Sequence, residues 1–311
     1  MDGSPAVSLQ PMSRFYLPLL VLLGGIWGAS FMFIKVADRE LAPTTMMAGR
    51  TAIGALLLIT FLALRVGLRQ AAGEVRRLGR RGFALGVVNA ALPFTLIAWG
   101  EKHIDSGVAA IANATVPIFI ALLAFRFLRS ERARGLQLVG IVVGLAGVAV
   151  LAGIHPRGGW WAVAGTLAVV AAAMAYAVGA MYVQHLSAHS SPLALTTASL
   201  VGAALALLPF GAAQLPGSVP GWKVIGSVVA LGVAGTAVGQ LIYYRLIETD
   251  GSARASLVTY LLPVTALFYG AGLLGEPITV EEIVGLVLIL IGTTLGSGAV
   301  RLTRREPAPA A

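Results

Sequence analysis

The chain has 311 residues, 58% of them apolar and 11% charged, with a mean hydropathy of +0.87. A soluble domain carries about 25% charge, and two soluble domains of this total length have no means of keeping so much apolar surface from water, so the composition predicts a membrane protein. Cysteine is absent, which excludes disulfides, thiolate metal sites and thiol catalysis, and the net charge of +9 has to be explained by where the arginines fall before it points to nucleic acid.

Residues 1–13 are polar, with no charged start and no small-residue cleavage site before the first apolar run. The first span is therefore expected to stay in place rather than be removed. A helix crosses the hydrocarbon core with about 20 residues. Ten stretches qualify: 15–36, 43–64, 83–100, 107–127, 136–153, 160–184, 193–213, 222–246, 253–274 and 282–300. Charge and turn residues separate them, including Asp38-Arg39-Glu40, an arginine run over 65–82 read as a loop, Glu101 to Asp105, and Gly275 to Pro277. Connections this short join antiparallel neighbours.

The cations are distributed unevenly. With the N-terminus inside, 16 of the 22 Lys and Arg fall on inner loops and tails, among them Arg65, Arg69, Arg76, Arg77, Arg80 and Arg81. Five fall outside (Lys35, Arg39, Lys102, Arg157 and Lys223), and Arg50 lies within a span. This asymmetry predicts both termini, 1–14 and 301–311, in the cytoplasm, and an even number of spans requires them on one side.

The two halves repeat. Ser106 falls on Ser252, Ala109 on Ala255 and Pro117 on Pro263 at one offset; after a one-residue slip, Gly140 falls on Gly285 and Gly147 on Gly292. Trp27 and Phe33 fall on Tyr176 and Tyr182. Each half, 15–153 and 160–300, holds five spans, so the second enters the membrane inverted. Inverted repeats of this kind build secondary transporters with a site near mid-membrane. The predicted fold is an all-α membrane protein of ten transmembrane helices, two inverted five-helix repeats around a central cavity.

Specific residues carry a resemblance. The stretch 24–31, Gly-Gly-Ile-Trp-Gly-Ala-Ser-Phe, with Lys35 beyond it, resembles the first helix of the drug/metabolite transporter superfamily, EamA-like branch. Pro43 followed by Arg50, Ala-Asn-Ala-Thr-Val-Pro over 112–117, and Ser130-Glu131-Arg132 with Gly140 and Gly147 are similar to its later helices. The second half repeats the pattern with Tyr260, Pro263, Gly275-Glu276-Pro277, Gly285 and Gly292. The resemblance covers about residues 15–300 and implies a multi-pass protein of the bacterial cytoplasmic membrane, most like the amino-acid exporters of that superfamily.

The intramembrane residues narrow the substrate. All thirteen Asp and Glu fall in loops, tails or span ends. The small multidrug exporters that the first half resembles place a Glu in their first helix, and 24–34 has none; a buried carboxylate is the natural partner of a cation or a proton relay, so cationic drugs and carboxylate-driven proton antiport are disfavoured. One well-buried cation, Arg50, is too few for phosphates. What remains is a set of aromatics, amides and hydroxyls suited to a small neutral or zwitterionic solute with an apolar side chain. Candidate substrate-binding residues are Trp27, Asn89, Trp99, Asn113, Tyr176, Gln240, Tyr243 and Tyr260, each weighed against helix packing for the amides and interfacial anchoring for the rings. Trp160, Trp161 and Trp222 are read as such anchors. Pro93, Pro117 and Pro263 each remove a backbone donor and are candidate hinges. Arg50 can reach toward the outer surface by its long stem, bind a substrate carboxylate, or form an outer gate with Asp38 or Glu40, and is read as structural or gating rather than as a direct substrate contact.

Gly24/Gly28, Gly140/Gly144, Gly235/Gly239 and Gly292/Gly296 have the four-residue spacing of close helix pairs, fitting either a support layer or a homodimer surface. The histidines His103, His155, His185 and His189 lie in loops or at span ends without metal spacing, and there is no nucleotide loop. No metal, cofactor, nucleic-acid partner or enzymatic activity is expected. The leading reading is an exporter of amino acids, neutral or aromatic, or similar metabolites by alternating access. A drug exporter or lipid-linked sugar flippase of the same superfamily stays open, as does a non-transporting receptor or assembly subunit, against which the short loops count.

Overall fold

The computed structural model describes residues 13–127, 136–152, 159–187 and 190–296. The Ser130-Glu131-Arg132 segment, His155, His189 and both predicted tails apart from residues 13 and 14 lie outside them. Among the described residues every regular element is helical. Five single helices are long and apolar enough to cross a membrane: α1 (Tyr16–Ala37), α2 (Pro43–Val66), α3 (Leu68–Glu101), α8 (Pro192–Ala213) and α9 (Trp222–Asp250). So is α7 (Gly159–Ser187), and so is the segment Ser106–Leu123, which comprises α4 (Ser106–Asn113) and the start of α5 (Val116–Phe127). The remaining elements are α6 (Leu136–Ala152), the single turn α10 (Ser252–Ala255), α11 (Val258–Leu274) and α12 (Val280–Gly296).

Local chemistry sets the ends. Pro43 opens α2, where its fixed φ suits a first turn and its missing N–H has no partner to lose. Ser191 caps α8, its Oγ accepting from the N–H of Ala194 at 3.2 Å, with Pro192 next. Gly67, Gly251 and Gly275 close α2, α9 and α11 with φ of 87°, 88° and 72°, which side chains other than glycine rarely adopt.

The arginine run is not a loop. From Leu68 the chain is already helical, with one kink at Gly79 (φ 38°, ψ −117°) before it enters the predicted span. Ala71 and Leu78 are buried against Ala194, Leu195 and Ala198 of α8, while Arg69, Arg76, Arg77, Arg80 and Arg81 stay exposed. Amphipathic spacing makes both possible on one helix; a hydropathy scan registers the charges and misses the apolar stripe.

Two predicted spans are interrupted. Residues 107–127 break at Ala114-Thr115 between α4 and α5, and 253–274 break at Ser256-Leu257 between α10 and α11. Pro117 lies in the first turn of α5, just after its break, and Pro263 lies inside α11. Pro93 follows a π-turn over Val87–Ala91 within α3. A second π-turn occupies Val233–Val238 in α9 and a third Gly270–Leu274 at the end of α11. Such one-residue insertions re-aim side chains and are frequent at functional sites.

Packing follows the glycines. A Cβ at Gly292 would meet the backbone of Gly144 and sit 2.7 Å from the carbonyl oxygen of Gly140, and a Cβ at Gly140 would sit 2.8 Å from that of Gly292. These small faces let α6 and α12 touch backbone to backbone. The spacing therefore serves a support layer within the chain. Gly24 and Gly28 of α1 likewise face Leu261 and Thr265 of α11, and Gly235 and Gly239 face Ser30 and Trp27. Outward positions such as Leu64 (81% exposed), Phe268 and Val142 are apolar and bare, the surface expected of helices solvated by lipid.

Candidate functional site

Arg50 organises the centre of the helix bundle. It is the eighth residue of α2, about 10 Å along the axis from Pro43 at 1.5 Å per residue, and is only 6% exposed. It does not extend to the surface. Its Nε donates to Thr236 Oγ1 at 3.0 Å, and its guanidinium lies 3.9 Å from the centre of the Phe94 ring. Thr236 reaches this position from the π-turn of α9, where its hydroxyl also donates to the carbonyl of Leu231 at 2.9 Å. The gate foreseen with Asp38 or Glu40 does not form. Asp38 pairs with Lys102 at 3.2 Å and Glu40 accepts from the N–H of Gly221 at 2.7 Å. Among the described residues no carboxylate lies within ion-pair distance of Arg50. Among the described residues Thr236 is the hydrogen-bond acceptor of the guanidinium, which has further N–H donors beyond Nε.

Aromatics extend from this point on both sides. Phe94 meets Tyr176 of α7 edge-on at 6.3 Å, and Trp27 of α1 meets Tyr243 of α9 at 5.4 Å. The two pairs are linked through α9: a Cβ on Gly235 would lie 2.7 Å from Ser30 Oγ and 3.8 Å from an Arg50 Nη, and one on Gly239 would lie 2.5 Å from Trp27 Nε1. Trp27, Tyr176 and Tyr243 of the predicted residues therefore share one layer with Arg50, and Pro93 adjoins it beside Phe94.

The other predicted residues separate. Trp99 belongs to a different cluster, 4.8 Å from His103 and 6.4 Å from Trp161, with His103 stacked on Trp161 at 5.2 Å. Asn89 packs on α7 where Gly179 leaves room; a Cβ there would lie 2.5 Å from Asn89 Oδ1. Asn113 is half-buried at the end of α4, its Oδ1 enclosed without a hydrogen-bond partner. Gln240 and Tyr260 are half-buried in α9 and α11. An open cavity of about 250 Å³ among the described residues is lined by Lys35, Asp38, Arg39, Asp105, Leu274 and Glu276 at the C-terminal end of α1. None of the predicted binding residues lines it.

That end carries the charge chemistry the sequence reading left in loops. Glu276 caps α4: its carboxylate accepts from the Ser106 N–H at 3.0 Å and from Ser106 Oγ at 2.5 Å, a charge-assisted bond at the positive end of the helix dipole. Lys35 donates to the carbonyls of Glu101 and Ile104 at 2.5 and 2.7 Å, closing the C-terminus of α3. Burial pushes the carboxyl of Asp38 up from its ordinary value, opposed by Lys102, Lys35 and His103; burial and the nearby Glu276 do the same to Asp105. Glu101 itself is fully buried and neither oxygen finds a partner. Phe94, Thr236 and Glu101 were missed from sequence. Phe94 and Thr236 lie in apolar runs with no signal of their own, and Glu101 reads as the first residue of a loop because acids mark loops.

Comparison with known proteins agrees with the helical architecture. A crystal structure 20% identical in sequence superposes with a TM-score of 0.63 over 93% of this chain and 98% of that one, which shows a shared fold. An uncharacterized transporter from Archaeoglobus fulgidus is 31% identical, covering 88% of this chain and 95% of its own length. The uncharacterized inner membrane transporter YedA of Escherichia coli is 28% identical over 91% of each chain. A protein of Salmonella typhimurium named "Probable amino-acid metabolite efflux pump" is 29% identical, covering 93% of this chain and 96% of its own. The sequence profile of the EamA-like transporter family matches twice, at residues 15–153 and 163–297. The chain belongs to the EamA-like transporter family.

Proposed function

We propose that this membrane transporter exports amino acids with neutral or aromatic side chains, or similar small carboxylate-bearing metabolites, across the cytoplasmic membrane by alternating access. The observation that carries the reading is Arg50: a buried guanidinium over the Phe94 ring with no carboxylate partner among the described residues. A substrate carboxylate supplies the missing acceptor in bidentate geometry, and Trp27, Tyr176 and Tyr243 supply apolar walls for its side chain. The name of the Salmonella relative supports the substrate class, and that of the Escherichia coli relative supports the inner membrane.

The proposed architecture is ten transmembrane segments in two inverted halves, 15–153 and 160–300. The double match of the family profile supports it. So does the corresponding placement of the π-turns over Val87–Ala91 in α3 and Val233–Val238 in α9. The excess of Lys and Arg on one side supports cytoplasmic termini. The two halves rock about the Arg50 layer, with Pro263 and the breaks before Pro117 and α11 as the flexible points.

Counterflow tests the reading. Purified protein is reconstituted in vesicles preloaded with unlabelled amino acid, and entry of radiolabelled amino acid is followed. Entry above that of protein-free vesicles is expected; folded protein that exchanges no amino acid, but exchanges drugs or lipid-linked sugars, moves the assignment to those classes.

A further inference from the structure

We propose that Glu101 is a proton-binding site of the transport cycle, paired electrostatically with Lys35 across α1 and α3; the coupling part of this inference rests on the transporter reading above. The geometry that points to it is an orphaned acid. Glu101 is 0% exposed, and its Oε1 and Oε2 are both enclosed without a hydrogen-bond partner. Lys35, the nearest source of positive charge, spends two donors on backbone carbonyls, that of Glu101 itself and that of Ile104. The carboxylate is left with through-space attraction only. A structural buried acid is normally saturated with hydrogen bonds, and even the half-buried Glu276 accepts from the N–H and Oγ of Ser106. An acid left unsatisfied is stable when it carries a proton and costly when it does not.

The surroundings provide a route. Lys35 lines the cavity that also holds Asp38, Asp105 and Glu276, and the same ammonium is bound to the Glu101 carbonyl. A proton arriving from water in that cavity passes beside Lys35 to reach Glu101. The groups that face or influence the site are Lys35 and Asp38 from α1 and its end, Arg50 from α2, and Glu276 from the segment after α11. Lys102, His103 and Asp105 lie in the adjoining turn, and Tyr176 lies deeper on α7. The step is simple in atoms: the carboxylate takes one proton from a hydronium ion in the cavity, which is left as water, so that one O–H bond forms as another breaks. Protonated, Glu101 is stable in this enclosed position and α1 stays packed on the end of α3 through Lys35. Charged, it is left without a hydrogen-bond partner there, which biases the equilibrium toward an arrangement that opens the carboxylate to water or to the Lys35 ammonium. Hydropathy scanning places Glu101 in a loop and so argues against a carboxylate relay; the folded chain places it inside.

The test has two independent readings on the full-length protein in lipid. Infrared difference spectra recorded across a pH titration read carboxyl protonation without any substrate. A carboxylic C=O band that grows on acidification and is lost in Glu101→Gln, while persisting in Asp38→Asn and Asp105→Asn, is the expected result. The same band in Glu101→Gln overturns the proton site. Lys35→Gln provides a second variant should Glu101→Gln fail to fold: loss of the cation makes the band appear at higher pH, and an unmoved band overturns the pairing. A pH-sensitive dye trapped in vesicles reads coupling. Substrate entry is expected to move protons in the wild type and not in Glu101→Gln. Wild-type transport without proton movement overturns the coupling. Absence of all amino-acid exchange in the wild type refutes the substrate reading instead, and leaves the infrared result to decide the proton site.

Discussion

Replacing Arg50 by lysine is the sharpest test of the carboxylate site. The change keeps one positive charge and removes the planar fork, the Nε donor to Thr236 at 3.0 Å and the face that lies 3.9 Å from the Phe94 centroid. Hydrogen bonds to charged groups contribute about 1.5–3 kcal/mol each, and a partly desolvated cation–ring contact about 0.5–2 kcal/mol. If the fork holds a substrate carboxylate, one of its two charge-assisted bonds is lost. The apparent affinity should then fall by about 10- to 150-fold, since about 1.4 kcal/mol is tenfold. The assay is counterflow with an amino acid and, in parallel, with its neutral amide, which has the same side chain and no carboxylate. Wild type should prefer the acid, and Arg50→Lys should lose most of that preference. Thr236→Val removes the internal contact, together with the Thr236 bond to the Leu231 carbonyl, while keeping the guanidinium, and separates the cost of a displaced Arg50 from the cost of a lost ligand. An equal loss for acid and amide in Arg50→Lys would refute the reasoning, because it would mean that Arg50 only props α2 against α9.

Four further expectations concern the frame around this site. Gly292→Leu drives a side chain into the backbone of Gly144 and Gly140 and should lower stability in detergent by about 1–3 kcal/mol or more, as overpacking does, whereas Gly226→Ala, with open space at its Cβ, should leave the melting curve unmoved. Glu276→Gln weakens the cap on Ser106 by about 1.5–3 kcal/mol for a bond to a charged group, read as faster amide exchange over the first turn of α4. A carboxyl whose folded-state pKa is raised keeps its proton longer in the folded protein, so the stability contributed by Asp38 and Asp105 is fully present below the ordinary value of 3.8 and is lost as pH rises through their raised values; Asp105→Asn should flatten the pH dependence of thermal stability in that window, and an unchanged slope would count against burial as the cause. Exchanging Arg76, Arg77, Arg80 and Arg81 for glutamine should raise the fraction of inverted molecules seen with reporters fused at the C-terminus, because exposed arginines beside a span hold their side in the cytoplasm.

What the sequence determined by itself was whatever depends on composition and order alone. Runs of apolar residues of membrane length admit no solution but helices, because lipid offers backbone groups no other partner. The repeat and the glycine spacing could be read for the same reason: Gly140 and Gly292 mark close contact wherever they occur, and the fold set them against each other. The aromatic layer was half legible, since Trp27, Tyr176 and Tyr243 stand out as rings at mid-span. Tertiary structure decided the rest, because burial of a charge is a property of neighbours and not of a window. Arg50 looked near enough to an end to reach water, yet α9 and Phe94 of α3 enclose it. Thr236 became its partner only because a π-turn rotated it inward. The arginine run became a helix because α8 covers Ala71 and Leu78. Glu101, which ends a span and so reads as solvated, is sealed by Lys35 and the turn that follows it, and only the fold makes an acid at that position a buried one.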